Sequence, residues 1–173
     1  MLEEMTRIVP ITGDQLNELV AAFVIAAKHA GLSVPAEFVQ AEFLPAPHSP
    51  PSKLPFPKQA IYWFAVGELC LKVGKAGPQS GARYTSQHYN PNSSRSNLAK
   101  SIMCHKERLK ALVPNQMHEE IDGLNERTVG AWIKMNAHRC NLLVDLRLSS
   151  QVLSFLETFV QAKLQPLFEG KLD

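Results

Sequence analysis

Residues 60–88, AIYWFAVGELCLKVGKAGPQSGARYTSQH, decide how the rest of the chain is read. Ile61 to Val66 is β-branched and aromatic, Gly67-Glu68 is a turn signal, and Leu69 to Val73 is a second apolar run, so the segment predicts a β-hairpin. Gly74, Gly77, Pro78 and Gly81 then interrupt regular structure. On a helix starting near Ala82, Arg83 and His88 would lie close together, because residues four apart share a face and five apart nearly do. A guanidinium and an imidazole thus gather beyond a strand end. The hairpin has two candidate registers. A two-residue turn would oppose Val66 to Leu69 and Trp63 to Lys72, placing Tyr62 and Lys72 on opposite faces. A three-residue loop with a bulge would pair Val66 with Cys70 and Phe64 with Lys72. Tyr62, Phe64 and Lys72 then share one face, and Ile61, Trp63, Ala65, Leu69, Leu71 and Val73 form a wholly apolar other one. The odd-length loop is expected on that ground.

Upstream, Thr12 offers a helix N-cap, and Leu16, Leu19, Val20, Phe23, Val24 and Ala27 follow at helical spacing until Gly31. Ser33 and Pro35 can start a second short helix over residues 36–44, so residues 1–44 are expected as a helical hairpin that adds core, touches DNA or forms a homodimer. Six prolines between Pro45 and Pro57 make residues 45–58 a linker, and residues 59–173 the main domain. Downstream, a polar loop at Asn90 to Ser94 precedes a helix capped by Ser96 and running to about Leu112. Shorter helices are expected around 118–124 and 128–135. Cys140 to Leu146 reads as a third, central strand, and Ser149 or Ser150 opens the last helix, with Val152, Phe155, Leu156, Phe159 and Val160 buried. Glu157 falls at the border of that face.

The fold class is therefore α/β in content, of the α+β kind: a small, three-stranded, mainly antiparallel sheet flanked by helices, with an N-terminal helical extension. A chain of 173 residues is long enough to bury a real core. Its formal charge of +2 is only weakly basic, so nucleic-acid binding has to be argued from local patches. Cys70, Cys104 and Cys140 lie far apart without a CxxC spacing, which fits reduced thiols. No apolar run approaches the ~18 residues of a membrane span. A cytoplasmic protein without membrane contact is expected.

The order Ile-Tyr in a first strand, Val-Gly-Lys closing a second, and Arg and His after it resembles the GIY-YIG nuclease superfamily. Ala60-Ile61-Tyr62 stands for the first motif and Lys72-Val73-Gly74 for the second, with Ala60 in place of the usual Gly and Lys72 in place of the usual second Tyr. The asparagine that many members carry after the glutamate has no counterpart, since the chain continues Pro166-Leu167-Phe168. The resemblance implies a metal-dependent DNA endonuclease with Tyr62, Lys72, Arg83, His88 and Glu157 at its site and DNA as partner. Glu157 would hold one Mg²⁺ or Mn²⁺. Arg83 would grip phosphoryl oxygens in the transition state. Tyr62 would act as base or orient water, with Lys72 as the cation that lowers its pKa, and His88 would move a proton or touch phosphate. Lys75 and Arg95 would bind the nucleic-acid backbone, Arg95 beside a helix start that suits anions.

Three other readings compete. A catalytically impaired nucleic-acid-binding module of the same fold would bind DNA without cutting it. A zinc site from Cys104, His105, His138 and Cys140 lacks standard finger spacing. A protein-interaction role would act through the N-terminal helices.

Overall fold

The computed structural model describes Val9 and residues 12–169. Seven α-helices and a four-stranded antiparallel sheet are found among them. The strands are β1 (Val39–Leu44), β2 (Lys58–Val66), β3 (Leu69–Ala76) and β4 (His138–Asp145), in the order β1-β4-β2-β3. Strands β4 and β2 are central and β1 and β3 are edges. The expected third strand is β4, and it is central as anticipated.

The α+β class stands, but the strand count rises by one, and the helical hairpin over residues 1–44 is corrected. Helix α1 (Gly13–His29) starts at Thr12, whose side chain accepts from the Gln15 amide at 3.3 Å. It ends where Gly31, at φ 76°, turns the chain so that the Leu32 and Gly31 amides return to the Ala27 and Lys28 carbonyls. Residues 36–38 form one 3₁₀ turn, and residues 39–44 are a strand, not a helix. Val39, Ala41 and Phe43 alternate onto one face, and β4 pairs with them from Val39↔Val144 to Leu44↔Arg139. Period-two burial and a partner strand outweigh the helical reading. The proline-rich stretch separates two strands of the same sheet.

Two apolar layers cover the sheet. Helices α1 and α7 (Ser150–Leu164) pack on the face carrying Ile61, Trp63, Cys140, Leu142 and Val144. The other face carries Ala60, Tyr62, Phe64, Leu71 and Leu143. It is covered by short helices α2 (Gly81–Thr85), α3 (Leu98–Cys104), α5 (His118–Asp122) and α6 (Val129–Asn136), with α4 (Lys106–Lys110) between α3 and α5. The helix expected from Ser96 to Leu112 is broken at His105, and its cap is Asn97, which accepts from the Lys100 amide at 2.8 Å.

The hairpin also departs from expectation. Val66 faces Leu69 and Ala65 faces Cys70, so the turn is the two-residue one, with Gly67 at φ 54°. Leu71 is then the extra residue of a bulge, after which Phe64 faces Lys72, Trp63 faces Val73 and Tyr62 faces Gly74. The register at Lys72 is thus as expected, reached by a bulge one step inside the strand. Leu71 joins the face of Tyr62 rather than that of Trp63.

Candidate active site

Cross-strand pairing sets the candidate residues in two rows. Gly74, Tyr62, Asn141 and Glu42 lie side by side across β3, β2, β4 and β1, and Lys72, Phe64, Arg139 and Leu44 form the next row. Gly74 is required where it stands: a Cβ there would lie 2.6 Å from two carbons of the Tyr62 ring. The ring therefore lies against bare backbone at the sheet edge.

Tyr62, His88 and the Arg83 backbone carbonyl come together, but not on one helix as expected: α2 ends at Thr85, and His88 falls in a separate 3₁₀ turn, Gln87–Tyr89. Tyr62 is fully buried, and its hydroxyl is 2.9 Å from His88 Nε2 and 3.1 Å from the Arg83 carbonyl. The Leu98 amide donates to His88 Nδ1 at 3.2 Å, which leaves that nitrogen without a proton. Nε2–H therefore donates to the Tyr62 oxygen, and the Tyr62 proton points to the Arg83 carbonyl. Burial, then the charges of Arg139, Arg83 and Lys72, push His88 down to about 3, so the imidazole is neutral at physiological pH. Burial pushes Tyr62 up to about 12, with Arg83 and Arg139 acting against it. At neutral pH this phenol keeps its proton, so it orients rather than abstracts. Arg83 itself is exposed.

Lys72 is not the cation that bears on Tyr62. Its ammonium donates to the Phe168 carbonyl at 2.9 Å and lies 3.8 Å from Glu169. Burial lowers its pKa, while Glu169 works in the opposite direction. The segment after α7 brings these partners: the Leu167 and Phe168 amides donate to the Cys70 and Leu71 carbonyls at the bulge. Glu169, missed in the sequence, has its pKa raised by burial, against the pull of Lys72.

Glu157 is half-buried at the border of the buried face of α7, as expected, and its carboxylate holds Lys75 at 2.7 Å. Lys75 also reaches Ser154 Oγ at 3.4 Å. This pair lies on the α7 side of the sheet, whereas Tyr62, Lys72 and His88 lie on the other. The two groups meet around edge strand β3, where the charge of Glu157 bears on both the Tyr62 phenol and Glu169. Arg95 is exposed in the loop before α3. The helix start beside it is not open to an anion, because Asn97 takes the Lys100 amide and His88 the Leu98 amide.

Sequence reasoning missed the centre of this face. Arg139 is fully buried, with Nε donating to Asn141 Oδ1 at 2.9 Å, Nη2 to the Tyr84 carbonyl at 2.7 Å, and Nη1 to the Tyr89 hydroxyl at 3.3 Å. Its guanidinium lies 4.8 Å from the Tyr62 ring centroid and 4.7 Å from that of Tyr84. Among the described residues it pairs with no carboxylate directly, and Glu42 approaches only through Asn141, at 3.2 Å. His48 Nδ1 donates to the Ala137 carbonyl, so its Nε2 accepts from the Tyr89 hydroxyl at 2.8 Å. The signal was present in HRCNLLVD, where Arg139 and Asn141 are polar at alternate positions of an otherwise apolar strand.

The zinc reading fails on geometry. Cys140 belongs to the core under α1 and α7, whereas His105 stacks on Phe168 across the sheet. No three His, Cys, Asp or Glu side chains among the described residues are grouped to hold a metal ion. No described helix is long and apolar enough to cross a membrane. No family model, curated protein or solved structure matches this chain.

Proposed function

We propose that the chain binds DNA along edge strand β3 and hydrolyses its phosphodiester bonds, with a fold and site of the GIY-YIG kind. The observation that carries this reading is the convergence of Tyr62 Oη, His88 Nε2 and Arg83 at one strand edge, with the charge of Glu157 bearing on the same phenol. Hydrolysis needs a positioned water, charge stabilisation on the phosphoryl oxygens and a proton for the leaving oxygen. Arg83, exposed and carrying a guanidinium fork that matches phosphoryl oxygens, grips the phosphoryl group. Tyr62 fixes that arginine through its backbone carbonyl, and His88 holds the phenol oxygen in place. The protonated phenol can donate to an incoming oxygen only by leaving the Arg83 carbonyl.

The Mg²⁺ or Mn²⁺ that the resemblance implies fits the donor set. Glu157 would hold it, since such an ion needs only one or two carboxylates besides water and phosphate. Bound there, it would supply Lewis-acid stabilisation of developing charge. Lys75 holds the Glu157 carboxylate and must release it first.

A non-cleaving DNA-binding module of the same fold is the second reading. It is favoured by the complete burial of Tyr62 and the occupation of Glu157 by Lys75. A cleavage assay on supercoiled plasmid and branched DNA, with Mg²⁺ or Mn²⁺, separates the two. Cutting by the wild type that Glu157→Ala and Arg83→Ala each reduce by at least about 100-fold supports hydrolysis, the scale expected for removing one transition-state contact. Salt-sensitive binding without cutting, at every metal concentration, rejects hydrolysis in favour of the module.

A further inference from the structure

We propose that a cleft between β3 and α3 is a binding site for a phosphate monoester or free phosphate, separate from the Tyr62 cluster. The cleft measures about 210 Å³, and Lys72, Arg95, Lys100 and His105 line it together with the hydroxyls of Ser96 and Ser101. Four basic side chains line it, and no carboxylate does among the described residues. Lys75, Lys110 and Arg147 are each held by a carboxylate, whereas Arg95 and Lys100 pair with none among the described residues. At the base of the cleft Lys72 is only 5% exposed. Its ammonium has three donors, of which the Phe168 carbonyl and Glu169 take two. A buried lysine, beside two surface cations that pair with no carboxylate among the described residues and the Ser96 hydroxyl, is a donor set for a doubly charged tetrahedral anion.

Size selects the ligand. Sites that enclose drug-sized molecules span about 300–1,000 Å³, so this one admits a phosphoryl group but not the nucleoside attached to it. A phosphate monoester carries about −1.5 to −2 charge at neutral pH, against −1 for a diester, and so suits the larger count of cations. Two sources share this chemistry: the phosphorylated end of a nucleic-acid strand, and free phosphate or a small ester. Neither requires Glu157 or any cleavage, so the inference stands apart from hydrolysis.

The test compares wild type with an Arg95→Ala/Lys100→Ala double variant, both positions being exposed and tolerant of truncation. Fluorescence anisotropy would follow single-stranded oligonucleotides bearing a 5′-phosphate, a 3′-phosphate or neither, and calorimetry would follow inorganic phosphate. At least about tenfold tighter binding of one phosphorylated end, lost in the double variant, assigns the site to strand ends. Binding of inorganic phosphate that the double variant abolishes, with no preference for a phosphorylated end, keeps the site and assigns it to small phosphates. If the wild type binds none of these probes better than the double variant does, the proposal is overturned. Circular dichroism of the double variant confirms that folding is unchanged.

Discussion

Arg139 and His88 show how single residues shape this face of the sheet. A guanidinium that pairs directly with no carboxylate among the described residues, enclosed by Tyr62, Phe64 and Tyr84, raises the cost of any second positive charge nearby. His88, packed against the Tyr62 and Phe64 rings, is held neutral by burial first and by this charge second. Its folded pKa of about 3 lies below the ordinary 6.5, so the unfolded chain binds the extra proton first as pH falls. Stability from this group is fully present above pH 6.5 and declines as pH drops toward about 3, by an amount of order 5 kcal/mol. Urea denaturation at pH 7, 5 and 4 should show this decline, and His88→Gln should flatten it. An equally steep pH dependence in the variant would assign the loss to other groups. Gly74 makes the second prediction at this scale. Gly74→Ala forces a methyl group to within 2.6 Å of a fully buried ring and should cost about 1–3 kcal/mol in the same assay. Without that cost, the Tyr62 ring would have room to move that the structure does not show.

Among the elements, hairpin β2-β3 shows what could and could not be read in advance. Alternation of Tyr62, Phe64 and Lys72 was legible, because a wholly apolar opposite face constrains register. The bulge was not, since the groups that meet it lie 96 residues away: Phe168 takes the Lys72 ammonium, and the Phe168 amide binds the Leu71 carbonyl. Strand β1 was misread because Phe38, Val39, Phe43 and Leu44 also suit a short helix, and only pairing with β4 decides between them. Glu157 and Lys75 were singled out for separate roles, and nothing in their spacing shows that they meet. Leu71 tests the bulge as an element of the core. It is fully buried with Tyr62, so Leu71→Ala should cost about 2–5 kcal/mol, whereas Glu68→Ala in the exposed turn should stay within about 0.5 kcal/mol. Two similar values would place the extra residue outside the packed layer.

For the whole molecule, the issue is whether residues 1–44 are an appendage or part of the core. Helix α1 buries Leu16, Phe23 and Ala27 completely, and Phe23 meets Phe155 and Phe159 of α7 at centroid distances of 5.7 and 5.6 Å. Strand β1 covers the outer edge of β4 over six residue pairs. Removing both would bare Trp63, Leu142 and Val144 on one face and leave β4, the most deeply buried strand, with a row of unpaired amides and carbonyls. The apolar face of α1 is spent on this core. A protein lacking residues 1–45 should therefore lose its cooperative thermal transition, or associate through the exposed edge of β4, rather than remain a stable monomer. Thermal denaturation followed by circular dichroism, with light scattering for mass, reads both. A monomer of residues 46–173 with a sharp transition near that of the full chain would return the N-terminal segment to the role of an attached extension. It would also show that the candidate site needs only the layer built by β2, β3, β4 and α7.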